Sequence, residues 1–143
     1  MKLSIFIDKE HEEEVIVYAH EKNEIVSEIE RLLDSNSTEL IGFKEDMIEK
    51  LEPFEVYCFS VEGGKVYAYT ENDKFHIKQR LYTLEGILPD CFIKINQSCI
   101  ANINMIKGFE AAFSGSLLVR LKNGHTDYVS RRNLKNVKER LGL

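Results

Sequence analysis

The sequence predicts a mainly β protein with small helices, α+β in class. Short runs of alternating apolar and polar residues recur from residue 55 to residue 129, several of them closed by Gly, Asn or Asp. Only a few stretches carry apolar residues at helical spacing instead. An apolar fraction of 43% with 30% charge, over 143 residues, is enough for one domain with a real core, or one domain with a small appendage.

In chain order, "KLSIFID" (Lys2–Asp8) alternates Leu3, Ile5 and Ile7 with polar or exposed positions, a strand pattern. "EVIVYAH" (Glu14–His20) is β-branched and aromatic, again a strand. "NEIVSEIERLLDS" then places Ile25, Val26, Ile29, Leu32 and Leu33 on one helical stripe, with Asn23 as N-cap. Residues 1–44 are therefore predicted as a β-β-α extension, a dimerisation or capping unit, and residues 45–143 as the main domain. Such a unit is too small to hold much core of its own.

Beyond Pro53, "EVYCFSV" (Glu55–Val61), "KVYAYT" (Lys65–Thr70) and "KFHIKQ" (Lys74–Gln79) are short strands. Glu62-Gly63-Gly64 and Glu71-Asn72-Asp73 separate them as hairpin turns. "RLYTLEGIL" (Arg80–Leu88) has Leu81, Leu84, Ile87 and Leu88 at helical spacing and stops at Pro89-Asp90. Two further strands, "KGFEAAF" and "LLVRLK", lead to Asn123-Gly124, a strong two-residue hairpin signal, and "HTDYVS" completes that hairpin. The tail "SRRNLKNVKERLGL" is a helix with Ser130 as N-cap, Leu134, Val137 and Leu141 as its buried stripe, and Gly142 as its stop.

Several function classes fare badly. Cys58, Cys91 and Cys99 are odd in number and lack a C-x-x-C spacing, which fits small buried hydrophobes in a reducing cytoplasm better than disulfides or zinc. His11, His20, His76 and His125 are scattered, so no metal and no cofactor is expected. The longest apolar run, Val15 to Ala19, is too short for a bilayer, and the acidic start argues against a leader peptide. No G-x-S-x-G, phosphate-cradling Gly-rich loop or H-E-x-x-H is present, so an enzyme is not expected.

Charge is more informative. Residues 1–90 hold 10 Lys and Arg against 21 Asp and Glu, a net −11, while residues 91–143 hold 9 against 3, a net +6. Such a split suggests that the C-terminal half meets an anion. The last helix begins with Arg131 and Arg132, followed a turn later by Lys135. Cations are unfavourable at the positive end of a helix dipole unless an anion sits there, and a phosphate suits both the N–H groups and the guanidinium forks. Within "FIKINQSCIANINMIKGF", Asn96, Gln97 and Ser98 interrupt the apolar pattern with three side chains able to read hydrogen bonds. Asn102 and Asn104 are expected to satisfy backbone in the following turn, and Tyr67, Tyr69, Phe109 and Phe113 to pack on strands.

These motifs together resemble the LytTR family of DNA-binding domains. The stretch from Phe92 to Leu143 carries the family's phenylalanine-led strand, a loop with an amide and a serine, an I-x-N-x-x-x-I turn, a lysine-asparagine-glycine hairpin, and S-R-R opening the last helix. "EVYCFSVEGGKVYAYT" is similar to the family's first strands and their glycine turn. The resemblance covers residues 45–143 and implies an elongated β-β-β sandwich whose loops, not a recognition helix, enter the major groove.

By position the resemblance makes Gln97 a base-edge reader, since an amide bonds bidentately to adenine. Arg132 matches a second reader, with Arg131 beside it, and Lys65 matches the first contacting loop. Ser98, Asn133 and Lys135 match backbone contacts. About fifty residues precede the motif, too few for a phosphoacceptor receiver domain, so a stand-alone regulator is implied: cytoplasmic, binding double-stranded DNA as a homodimer, with no membrane insertion. The rivals are an RNA or single-strand binder, which needs exposed aromatics beside the basic strip, and a protein-interaction module built on the acidic N-terminal unit.

Overall fold

Strand alternation divides the interior into two cores. In β3 (Cys58–Glu62) Phe59 faces one cluster and Cys58 the other, and in β7 (Cys99–Asn102) Ile100 faces the first while Cys99 and Ala101 face the second. Adjacent strand residues point to opposite faces, so a sheet this apolar must be covered twice. The computed structural model describes residues 1–34 and 39–143.

The main sheet has seven strands, all antiparallel to their neighbours, in the order β2-β1-β5-β4-β3-β7-β6. Its remaining members are β1 (Leu40–Lys44), β2 (Met47–Leu51), β4 (Lys65–Tyr69), β5 (Lys74–Ile77) and β6 (Phe92–Asn96). A second sheet, also antiparallel, joins β8 (Ile106–Ala111), β9 (Leu117–Leu121) and β10 (Thr126–Val129). One face of the main sheet is closed by the helix α2 (Leu81–Ile87), whose Leu84 is fully buried among Leu40, Phe59, Phe75 and Phe92. The other is closed by the second sheet and by α3 (Arg131–Leu141), which bring Val119, Val129 and Val137 against Ile93, Ile95 and Ala101. The mainly β, α+β expectation holds.

β1 and β2 form a hairpin that the sequence pattern did not signal. Its turn is Glu45-Asp46, without Gly or Asn, and Glu45 takes φ 50°, a left-handed conformation rare for glutamate. β1 also pairs with β5, Gly42 opposite Ile77, so the 1–44 segment contributes its last strand to the main sheet. The Asn123-Gly124 hairpin is one residue longer than a two-residue turn. Leu121 N donates to His125 O at 2.9 Å across Lys122-Asn123-Gly124, with Gly124 at φ 90°.

The two N-terminal strands are not formed. Lys2–Asp8 and Glu14–His20 carry no strand, and Leu3, Ile5 and Ile7 lie open to solvent. Alternation specifies a face, but a hairpin without a third strand or a covering helix is marginal in water. The helix does form, as α1 (Glu24–Asp34), and Asn23 caps it as expected: its Oδ1 accepts from Val26 N at 3.0 Å. Of its stripe, Val26 and Ile29 are half-buried, while Ile25, Leu32 and Leu33 are 53%, 61% and 50% exposed. Among the described residues no helix is long and apolar enough to cross a membrane.

Candidate nucleic-acid interface

Three chain segments meet at one end of the main sheet. The first is the turn between β3 and β4, where Gly63 and Gly64 take φ 57° and 78°. That pair of left-handed residues is what a tight hairpin turn requires, and it sets Lys65 opposite Glu62 with Lys65 exposed. The second is the loop between β6 and β7. Ser98 O accepts from Val61 N at 2.8 Å, which seats this loop beside the first turn. The third is the start of α3, where Ser130 N donates to Ile95 O at 2.9 Å. The segments that carry Lys65, Gln97, Ser98, Arg131 and Arg132 are brought side by side by these bonds, although up to 67 positions separate the residues in the chain.

The middle loop owes its shape to a bulge in β6. Lys94 pairs with Ile100 and Asn96 with Cys99, so Ile95 is an extra residue on its strand. Ile95 is buried in the second core, and the two residues beyond Asn96 face outward. Gln97 and Ser98 are exposed, while Asn96 is drawn in. Its Nδ2 donates to Asp127 Oδ1 at 3.0 Å and to Tyr128 O at 2.7 Å, and its Oδ1 accepts from Ser98 N at 2.7 Å. Of the two amides in the interruption, Gln97 is the exposed one.

The first turn of α3 differs from expectation in one respect. Ser130 occupies the N-cap position, yet its side chain does not cap a backbone N–H. Its Oγ accepts instead from Asn133 Nδ2 at 2.7 Å. Arg131, Arg132 and Lys135 are exposed along this end, Val137 is fully buried beneath it, and Gly142 stops the helix at φ 71°. Basic charge at a helix N-terminus with no side-chain cap favours an anion there.

Polar groups flank the site. Lys74 Nζ and Tyr69 Oη both donate to the Glu62 carboxylate, which holds Glu62 below the usual carboxylate range. Burial, then the bond to Glu62, pushes the Tyr69 phenol up to about 12. Under the loop, the Cys99 thiol donates to Cys58, lowering Cys58 to about 7 and raising Cys99, and the Cys58 sulfur raises the neighbouring His125. All three cysteines are free, with Cys58 and Cys99 fully buried as expected and Cys91 half-buried. Among the described residues no group of three or more His, Cys, Asp or Glu is disposed to hold a metal ion.

Asn102 behaves as the sequence suggests: buried, donating to Val56 O at 3.0 Å and accepting from Asn104 N at 3.0 Å. Phe113 does not pack on a strand; it is 96% exposed in the turn between β8 and β9. Sequence reasoning passed over Asn96 and Asp127 as partners, because no local pattern links residues 31 positions apart.

A long antiparallel sheet, a short second sheet and a last helix, with basic and amide side chains gathered at one end, define a loop-presenting β-sandwich. The model of the LytTr DNA-binding domain matches residues 46–142, and the chain belongs to that family. The chain is similar over its full length to proteins named as uncharacterised HTH-type transcriptional regulators of Staphylococcus aureus. It is 38% identical to that of strain MSSA476 and 37% to that of strain NCTC 8325, covering 100% of this chain and 99% of each relative. Among solved structures it is similar to the LytTr DNA-binding domain of a protein described as a methyl-accepting/DNA response regulator from Bacillus cereus. That likeness has a TM-score of 0.69 at 24% identity, over 74% of this chain and 99% of that one. Among the described residues no two helices are consecutive in the chain.

Proposed function

We propose that this protein is a cytoplasmic, sequence-specific transcription regulator that reads the major groove of duplex DNA through the loops at one end of its main sheet. The observation that supports this reading is that backbone bonds set the Gly63-Gly64 turn, the Gln97-Ser98 loop and the Arg131-Arg132 helix start side by side, with Lys65, Gln97, Arg131 and Arg132 exposed. In it, Gln97 reads a base edge through its amide, and Arg132 reads guanine or grips phosphate. Lys65, Ser98, Arg131 and Lys135 fix register on the backbone. Asn133 has a second amide hydrogen for a phosphate oxygen beyond the one given to Ser130.

Salt titration of duplex binding tests it. The +6 of residues 91–143 should release counterions as phosphates are engaged, so affinity should fall steeply with salt despite the acidic pI near 5.4. A flat salt response, or preference for single-stranded over duplex DNA in competition, contradicts it.

The regulator acts as a homodimer joined through its N-terminal segment. The support is the stripe of Ile25, Leu32 and Leu33, which the monomer leaves in water. Residues 1–34 hold 4 Lys and Arg against 10 Asp and Glu, and so much acid belongs away from phosphate. Two copies meeting there would space two half-sites isologously.

A further inference from the structure

The side chain of Asn96 is spent inside the protein. It donates to Asp127 Oδ1 at 3.0 Å and to Tyr128 O at 2.7 Å, and it accepts from Ser98 N at 2.7 Å. Asp127 Oδ1 also accepts from Tyr128 N at 2.7 Å, which fixes the carboxylate that Asn96 meets. On one side of this linkage is the Gln97-Ser98 loop. On the other is β10, which runs through Val129 and Ser130 directly into Arg131 and Arg132. We propose that Asn96 and Asp127 form a positioning latch that holds the Gln97 loop in fixed relation to the start of α3, and thereby set base specificity without touching a base.

The inference rests on the reading of Gln97 and Arg132 given above. Two readers on separate segments discriminate between bases only if their spacing is held to a fraction of an ångström. The backbone bond from Ser130 N to Ile95 O anchors the base of the loop, but Gln97 lies two residues further out. Asn96 supplies the remaining restraint, because its three bonds reach Ser98 on the far side of Gln97. The latch has a second consequence. Asp127 is half-buried beside a surface meant for phosphate, and an amide donor satisfies its carboxylate where another acceptor would repel it.

The test uses the full chain with N96A, N96D, D127N and the double variant N96D/D127N, with Q97A as reference. For each, affinity is measured for a selected duplex and for the same duplex altered at single base pairs, and amide exchange at Ser98 is followed in the free protein. N96A should cut the ratio of selected to altered affinity by roughly tenfold, within the cost typical of one mismatched base pair, and should speed Ser98 exchange. N96D should be worse, since it faces one carboxylate with another. D127N should rescue N96D, because the amide it introduces can donate back. A double variant no better than N96D overturns the latch. If Q97A leaves the site ranking intact, the base-reading role fails instead. Ser98 exchange separates the two failures: unchanged exchange in N96A overturns the latch whatever the DNA measurements show.

Discussion

Ser130 N donates to the carbonyl of Ile95 at 2.9 Å, tying the residue before the last helix to the strand that leads into Gln97. Because one bond spans these segments, Gln97→Ala and Arg132→Ala should behave as changes to one reading surface. Each should cost about 1–3 kcal/mol in binding to a selected duplex and relax base preference. Lys135→Ala should weaken all duplexes about equally. Equilibrium titration against a panel of single-base variants distinguishes the two patterns.

Gly42 in β1 has no room for a side chain. A Cβ there would lie 2.7 Å from Phe75 Cβ and 2.9 Å from Leu51 Cδ1. Gly42→Ala should therefore destabilise the fold by about 1–3 kcal/mol through overpacking, read as a lower denaturant midpoint.

Leu84 is fully buried and fastens α2 to the first core. Leu84→Ala should cost about 2–5 kcal/mol of stability. Its site lies on the opposite face of the main sheet from α3, so duplex affinity of the folded protein should hardly change. Thermal unfolding and DNA titration on the same sample would show whether the two are separable.

Glu62 titrates lower in the folded protein because Lys74, and then Tyr69, donate to it. Its contribution to stability is fully present above its unfolded value near 4.5, and is lost as pH falls through the lower folded value. Glu62→Gln should flatten that part of the acid limb when unfolding free energy is followed from pH 6 downwards to about pH 3. An unchanged acid limb would mean the bonds to Lys74 and Tyr69 contribute nothing.

Leu32 and Leu33 are half or more exposed in the monomer, so Asp at both positions should leave the fold intact. In the dimer reading, the doubly substituted chain sediments as a monomer where the native chain is dimeric, and loses cooperativity on paired half-sites. Since both N-terminal units are acidic, added salt should strengthen self-association while weakening DNA binding. A native chain that is monomeric at micromolar concentration and on DNA makes the segment a cap.

The sequence carried the parts of the fold that rest on local pattern. Short strand patterns and turn residues located β3 to β6 and β8 to β10, while β7 falls where a turn was expected, and the stripe of Leu134, Val137 and Leu141 with Gly142 located α3. The hairpin of β1 and β2 escaped because Glu45-Asp46 has neither Gly nor Asn and the hairpin is held by pairing with β5. The N-terminal strand patterns do not form strands, since alternation in Lys2–Asp8 says nothing about whether a partner covers it. At the interface, Asn96-Gln97-Ser98 stood out as a polar interruption. That Asn96 turns inward is decided by Asp127, which only the fold brings alongside.

The most direct measurement is selection of bound duplexes from a random pool, run in parallel with the native chain and with Gln97→Ala. The account predicts a defined site for the native chain and a changed or degenerate base at one or two positions for the variant. No enriched sequence, or the same site with both proteins, would contradict it.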